Sequence, residues 1–269
     1  MSEPIKKRIN VVLVCGGVWH DFDFARLELL KLLAEDERIR TRVFESYDHA
    51  RPALADADFL VSYTCNVVGS LDTQEAIKVF IENGGRWFAL HGTNSVLRFL
   101  SPEGADYGNL LVDAPRWAPL MMETLGSQFI AHPPMDPYKI SITKPSHPMV
   151  SDIEPFETTG ELYLMETHGD LEVLLHADFE GEAPGFVEDQ WKKQQHPVLY
   201  LKTVGEGAVL YLTIGHCRSH YDMTDITDYY PEIERGAWDL PVYYTLLRRG
   251  ISWAREPALD HAKEEVSVE

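Results

Sequence analysis

The feature that most constrains the fold is an alternation along the first third of the chain. Short apolar runs, ending in small residues or histidine, take turns with segments of helical period. The run Ile9–Gly17, INVVLVCGG, is apolar almost throughout and stops at a glycine pair. A strand buried on both faces reads this way. In the next segment, FARLELLKLLAED, Phe24, Leu27, Leu30 and Leu33 recur at helical spacing, and Asp21 or Asp23 can cap it. Thr41–Ser46 and Ala57–Thr64 read as the second and third strands. LDTQEAIKVFIENGG reads as a helix, with Asp72 and Glu75 spaced as a capping box and Gly84-Gly85 as its stop. The fourth strand, Trp87-Phe88-Ala89-Leu90, ends at His91, and the small polar residues Gly92 to Ser95 suit a tight turn and a helix cap. This order predicts an α/β fold: a parallel sheet with helices on both faces.

The middle of the chain is irregular. Residues 101–137 carry many prolines and glycines and no clear period, and connections of that length are uncommon unless they serve function. Strand signals return at YKISIT, LEVLLHAD, PVLYLKT and AVLYLTIG. Gly205-Glu206-Gly207 lies between the last two, which predicts a hairpin. LPVYYTLLRRGISWA predicts a final helix. Residues 1–256 are expected to form one domain, and 257–269 an acidic, flexible tail.

Composition narrows the partners. The chain has 269 residues and a net charge of −19, from 24 basic and 43 acidic residues. Such a surface repels phosphate backbones and anionic membranes, so neither nucleic acid nor membrane is an expected partner. No basic-then-apolar leader and no bilayer-length apolar run is visible. Cys15, Cys65 and Cys217 form no CxxC pair, which fits a reduced, cytoplasmic setting. CGGVWHDF lacks the GxGxxG spacing and no Walker loop occurs, so neither NAD nor ATP is expected. The expected partner is a small-molecule substrate; a homo-oligomer is compatible with the sequence.

The histidines stand out as candidate chemistry. His20 follows the first strand, His91 the fourth and His216 the last. If those strands are parallel, all three meet at the carboxyl edge, where open α/β sheets bind ligands. Imidazole transfers protons near neutral pH and ligates metals. A single histidine at a strand end more often only bonds its loop; three together point to function. Glu161, beside Tyr163, is placed to orient a histidine or join a metal site. Cys15 reads as core, and Cys217, adjacent to His216, implies no thiolate–imidazole pair.

CGGVWHDFD, the SYT strand end followed by LDTQEAIKVFIENGGRWFALHG, GSQFIAHPP, SHPMVSDIEPFETTGELY and GEGAVLYLTIGH together resemble the ThuA-like (trehalose utilisation) family of the class I glutamine amidotransferase-like superfamily. The resemblance spans about residues 10–254. It implies a flavodoxin-like three-layer sandwich with a mostly parallel sheet and a C-terminal β-hairpin addition. It places His91 at the turn where true amidotransferases carry a nucleophilic cysteine, and His216 where they keep a catalytic histidine. Glutamine hydrolysis is therefore not expected. The same resemblance matches His20 to a histidine of the first loop, His132 to an "HP" element and Glu161 to the acid before "LY". Two departures stand out: Ser127 replaces a common glycine, and Cys217 stands where an acid often follows "GH".

The leading expectation is an enzyme of carbohydrate metabolism acting on a sugar or keto-sugar derivative by histidine acid/base chemistry, hydrolysis or isomerisation. His91, His216 and Glu161 are the expected catalytic groups. His20, His132, Trp19, Tyr163 and Arg98 are expected to bind substrate. A non-catalytic sugar-binding or regulatory protein and a zinc-dependent hydrolase are the alternatives. No cofactor is required by the sequence, though a divalent metal such as zinc is compatible with it.

Overall fold

The structure, a computed structural model, describes residues 8–100 and 110–267. In chain order it runs β1 (Ile9–Gly17), α1 (Phe22–Leu33), β2 (Ile39–Phe44), α2 (Tyr47–Ala50), β3 (Phe59–Cys65), α3 (Leu71–Glu82) and β4 (Arg86–Leu90). A short ribbon follows, β5 (Arg98–Phe99) and β6 (Val112–Asp113), then α4 (Pro119–Leu125) and β7 (Ser127–Ala131). The remainder is β8 (Tyr138–Ile142), β9 (Phe156–Thr158), β10 (Leu164–Thr167), β11 (Glu172–Glu182), β12 (Gln190–Val204), β13 (Gly207–Leu212) and α5 (Pro241–Ser267).

Nine strands form one sheet in the order β2-β1-β3-β4-β13-β12-β11-β8-β9. The pairings from β2 to β13 are all parallel. This is the flavodoxin-like half; its inner strands β1, β3, β4 and β13 are almost wholly buried because both faces are covered, whereas the edge strand β2, IRTRVF, is only partly buried. From β13 onward the pairings are antiparallel. The expected hairpin is β12–β13, turning through Gly205 at φ 60, a conformation glycine adopts without strain. The antiparallel addition is wider than that hairpin, since β11, β8 and β9 extend it.

Right-handed crossovers fix the layers. The chain leaves β1 towards β2 and β3 towards β4, in opposite directions across the sheet, so α1 and α3 cover opposite faces. α5 joins α1, and α4 joins α3. Gly250 of α5 lies so close to the Phe88 ring that a Cβ would sit 2.3 Å from it, which seats α5 directly on β4. Burying each large aliphatic side chain in these layers is worth about 1.5–3 kcal/mol.

Local details depart from the sequence reading. Asp21 caps α1 by accepting from the Phe24 amide, but the buried stripe is Ala25, Leu29, Leu32 and Leu33, and Leu27 is 52% exposed. Helix α3 starts from Ser70, two residues before an Asp72 cap would allow. No α-helix follows His91: residues His91–Asn94 make a single 3-10 turn and the chain extends into β5. The irregular middle contains α4 and β7, and its residues 101–109 lie outside those described. Helix α5 passes through Pro257 and runs to Ser267.

Candidate functional site

β1, β3, β4 and β13 are parallel neighbours, so the segments that follow them open at one sheet edge. β1 and β3 flank the point where the chain direction reverses, the crevice where such sheets take ligands. Backbone strain is concentrated there. Trp19 has φ 68, Asn66 φ 58 and His91 φ 40. Left-handed backbone at a non-glycine residue costs on the order of 1–3 kcal/mol and persists where the surroundings enforce it. At His91 the Tyr211 hydroxyl donates to its carbonyl, and Gly92 packs against the Thr64 carbonyl.

The three strand-end histidines meet. Nε2 of His20 lies 2.9 Å from Nε2 of His91. Ring centroids of His20, His91 and His216 are 4.9 to 5.6 Å apart. Glu161, in the loop before β10, reaches into the same point: Oε2 is 3.4 Å from His91 Nε2 and 3.7 Å from His20 Nε2, and Oε1 is 3.3 Å from His216 Nδ1. One donor atom from each of the four residues falls within 4.8 Å of all the others, and all four residues are buried.

The outer nitrogens are already committed. His91 Nδ1 is 2.8 Å from the Thr213 carbonyl and His20 Nδ1 is 3.2 Å from the Val18 carbonyl. A carbonyl only accepts, so both Nδ1 atoms carry the proton and the neutral rings present lone pairs at Nε2. His216 Nε2 donates to Glu234 Oε2 over 2.7 Å, and its buried Nδ1 has no hydrogen-bond partner. The lone pairs of His20 and His91, the inner nitrogen of His216 and a carboxylate thus face one centre.

The electrostatics follow from burial and from Glu161. Burial pushes His91 and His132 down, and His20 down to about 3, so these rings are neutral at pH 7. Burial would raise the Glu161 carboxyl, but the imidazoles around it, with His216 foremost, hold it well below the usual range. For His216, burial pulls down, yet Glu161 and Glu234 together raise it.

A cavity of about 350 Å³ opens beside the cluster, lined in part by His20, Glu161, His132, Tyr163, Trp19 and Arg218. His132 leaves β7 with Nδ1 2.8 Å from the Pro133 carbonyl, so its Nε2 carries the lone pair, 3.7 Å from Glu161 Oε1. The Tyr163 hydroxyl is 3.3 Å from His91 Nε2. Arg98 is not brought to this cavity; it pairs with Asp113 at 2.5 Å and lies over Trp117.

Two residues that the sequence reading did not single out complete the site. Arg218 contacts both Glu161 (3.4 Å) and Glu234 (3.2 Å) and donates to the Trp19 carbonyl. Glu234 gives His216 the carboxylate partner that Cys217 cannot supply. Arg218 lies two residues past His216 and was open to inspection. Glu234 sits in an irregular segment with no pattern to mark it. Cys217 points into the core against the Tyr63 hydroxyl, and Ser127 bonds Asn94 and Tyr200.

No described helix is long and apolar enough to cross a membrane. Comparison with curated proteins gives no match. Among solved structures, the chain is similar to a ThuA-like protein from Parabacteroides merdae ATCC 43184, with 17% identity, a TM-score of 0.62 and coverage of 93% of this chain and 91% of that one. It is equally similar to a ThuA-like protein from Bacteroides uniformis ATCC 8492, with 16% identity, a TM-score of 0.62 and 94% of each chain covered. At such identity these likenesses establish the fold. The sequence profile of the ThuA family, described as trehalose utilisation, matches residues 10–231. The chain belongs to the ThuA family.

Proposed function

We propose that this protein is an enzyme that processes a sugar or keto-sugar derivative around a divalent metal ion held by His20, His91, His216 and Glu161. One observation carries the reading: each imidazole has its outer nitrogen tied to a fixed oxygen, so its inner nitrogen is aimed at the common centre. Metal-binding histidines are oriented by such partners. Three imidazoles and a carboxylate suit zinc and its first-row neighbours. The Nε2 atoms of His20 and His91, 2.9 Å apart, are close enough for a single ion to take both.

Such an ion supplies Lewis acidity, polarising a substrate carbonyl or hydroxyl oxygen. His132 is suited to the proton transfer. It lines the cavity, burial keeps it neutral, and its Nε2 lone pair is on the side of Glu161. It would take a proton from the carbon or oxygen beside the polarised group and return it. Arg218 holds Glu161 and Glu234 in place. The sugar assignment is supported by the family's description, trehalose utilisation. With His91 at the turn after β4, a thiol nucleophile for glutamine hydrolysis is missing from that turn.

The test is metal analysis of protein purified without chelator, followed by an NMR screen of sugars, keto-sugars and glycosides with and without added zinc, manganese, cobalt or nickel. Near-stoichiometric metal and chelator-sensitive turnover are expected. Metal near zero with turnover indifferent to chelator would replace this mechanism with metal-free histidine catalysis. Tight sugar binding with no turnover of any compound would replace the enzyme with a binding protein.

A further inference from the structure

The charged and most of the polar side chains that line the cavity, His20, Glu161, His132, Tyr163 and Arg218, belong to the cluster or touch it, while most of the remaining lining is apolar. Trp19 and Met223 are buried in one small apolar cluster that Phe99 and Ile226 pack against, with the Trp19 and Phe99 rings 5.0 Å apart. Phe129 and Phe186 make a second aromatic pair at 5.7 Å, and Phe186 meets the His132 ring at 4.9 Å. Three polar side chains of the described lining are already engaged. The Trp19 indole N–H donates to Asp225, the Ser95 hydroxyl donates to Tyr163, and Arg218 is held by two carboxylates.

A pocket that receives only hydroxyls needs partners along its whole length, because a buried hydroxyl with no partner costs affinity. This wall offers aromatic edges and aliphatic groups instead. We infer that the substrate is a sugar derivative bearing an apolar, preferably aromatic, substituent: its oxygens meet the cluster, and the substituent fills the chamber walled by Trp19, Phe99, Phe129, Phe186, Met223 and Ile226. The inference rests on the reading of the cluster as a sugar-processing centre and adds the substrate class to it. A second sugar unit is disfavoured in the chamber, since its hydroxyls would be desolvated there without replacement bonds.

Two measurements on the full-length protein test this. The first follows benzyl alcohol binding by ligand-observed NMR, in metal-loaded and metal-stripped protein. It reports on the chamber alone. Binding is expected in both forms and should weaken in Ile226→Gln, a half-buried position whose exchange leaves the core intact. The second compares glucose, both methyl glucosides, both phenyl glucosides and trehalose as ligands of the metal-loaded protein. The phenyl compound is expected to bind about tenfold or more tighter than its methyl counterpart. Ile226→Gln should narrow that gap while its thermal midpoint stays near that of the wild type. No benzyl alcohol binding, or trehalose and methyl glucosides binding as tightly as phenyl glucosides, would overturn the inference. If benzyl alcohol binds in the chamber but no glucoside binds at all, the apolar chamber stands and the sugar reading of the cluster falls. A metal content near zero with the phenyl preference intact removes the metal and leaves the substrate class.

Discussion

His216 is held between two carboxylates: its Nε2 donates to Glu234 at 2.7 Å, while its Nδ1 stands 3.3 Å from Glu161. Glu234 also receives the Tyr230 hydroxyl and Arg218, so its position is fixed on three sides. It therefore sets the rotation of the His216 ring and the direction of the inner nitrogen. Loss of such a supporting carboxylate typically weakens metal binding by about 10–100-fold. We expect Glu234→Gln to do so, read by competition with a chromophoric chelator, with little change in thermal midpoint of the metal-stripped protein. An affinity equal to wild type would show that Glu234 only packs.

The thiols are expected to be silent. Cys217 is fully buried, its Sγ 3.1 Å from the Tyr63 hydroxyl, and burial pushes its thiol up to about 12. A nucleophilic cysteine needs the opposite shift. Cys217→Ala is expected to keep most activity, while His91→Ala, which removes a proposed metal ligand, loses at least about 10–100-fold, the cost of losing even a partner of such a ligand. An inactive Cys217→Ala beside an active His91→Ala would refute the mechanism.

What the sequence disclosed and what it hid divide along physical lines. His20, His91 and His216 were legible because apolar runs mark parallel strands, and parallel strands share a carboxyl edge. Glu161 and His132 were legible only through motifs, since no periodicity ties their loops to the sheet. The groups that set the tautomers, the Val18 and Thr213 carbonyls, are backbone atoms that residue identity does not reveal. Arg98 is expected from the sequence to bind substrate, but the 3-10 turn at His91–Asn94 sends the chain into the β5–β6 ribbon, where Asp113 takes it. The walls Phe129 and Phe186 come from the irregular middle and from beyond β11, where no short-range pattern links them.

A pH effect on stability is expected from His196, outside the site. Its ring is buried on β12 against Trp191 and Phe179, and its Nε2 has no hydrogen-bond partner. Burial lowers it from 6.5 to about 4, with the Asp178 charge opposing in part. The folded state thus resists a proton that the unfolded chain accepts. His196 costs nothing above about pH 6.5; between there and about pH 4 stability falls as pH falls, by up to about 1.4 kcal/mol per pH unit. His196→Leu should remove this part of the slope. Chemical denaturation of both proteins, metal-stripped, at pH 7.5 and 5 reads the difference; parallel losses in the two would exclude His196 as the source.

The turn that carries His91 depends on Gly92. A Cβ at this position would lie 2.4 Å from the Thr64 carbonyl oxygen and 3.0 Å from the Cys65 Cβ. Both belong to β3, the central parallel strand, which has covered faces and paired edges and cannot yield. The turn must yield instead, and it is already strained at His91, with φ 40. Any displacement passes to the His91 ring and its 2.8 Å bond to the Thr213 carbonyl. Gly92→Ala is therefore expected to lower stability by about 1–3 kcal/mol, the usual cost of overpacking. It should also weaken metal binding, because Nε2 of His91 no longer faces Nε2 of His20 at the right spacing. Thermal denaturation of the metal-stripped protein gives the first quantity and chelator competition the second. A stability loss with unchanged metal affinity would mean that the turn relaxes away from His91; no loss of either would mean that the close approach to Thr64 is not maintained in solution.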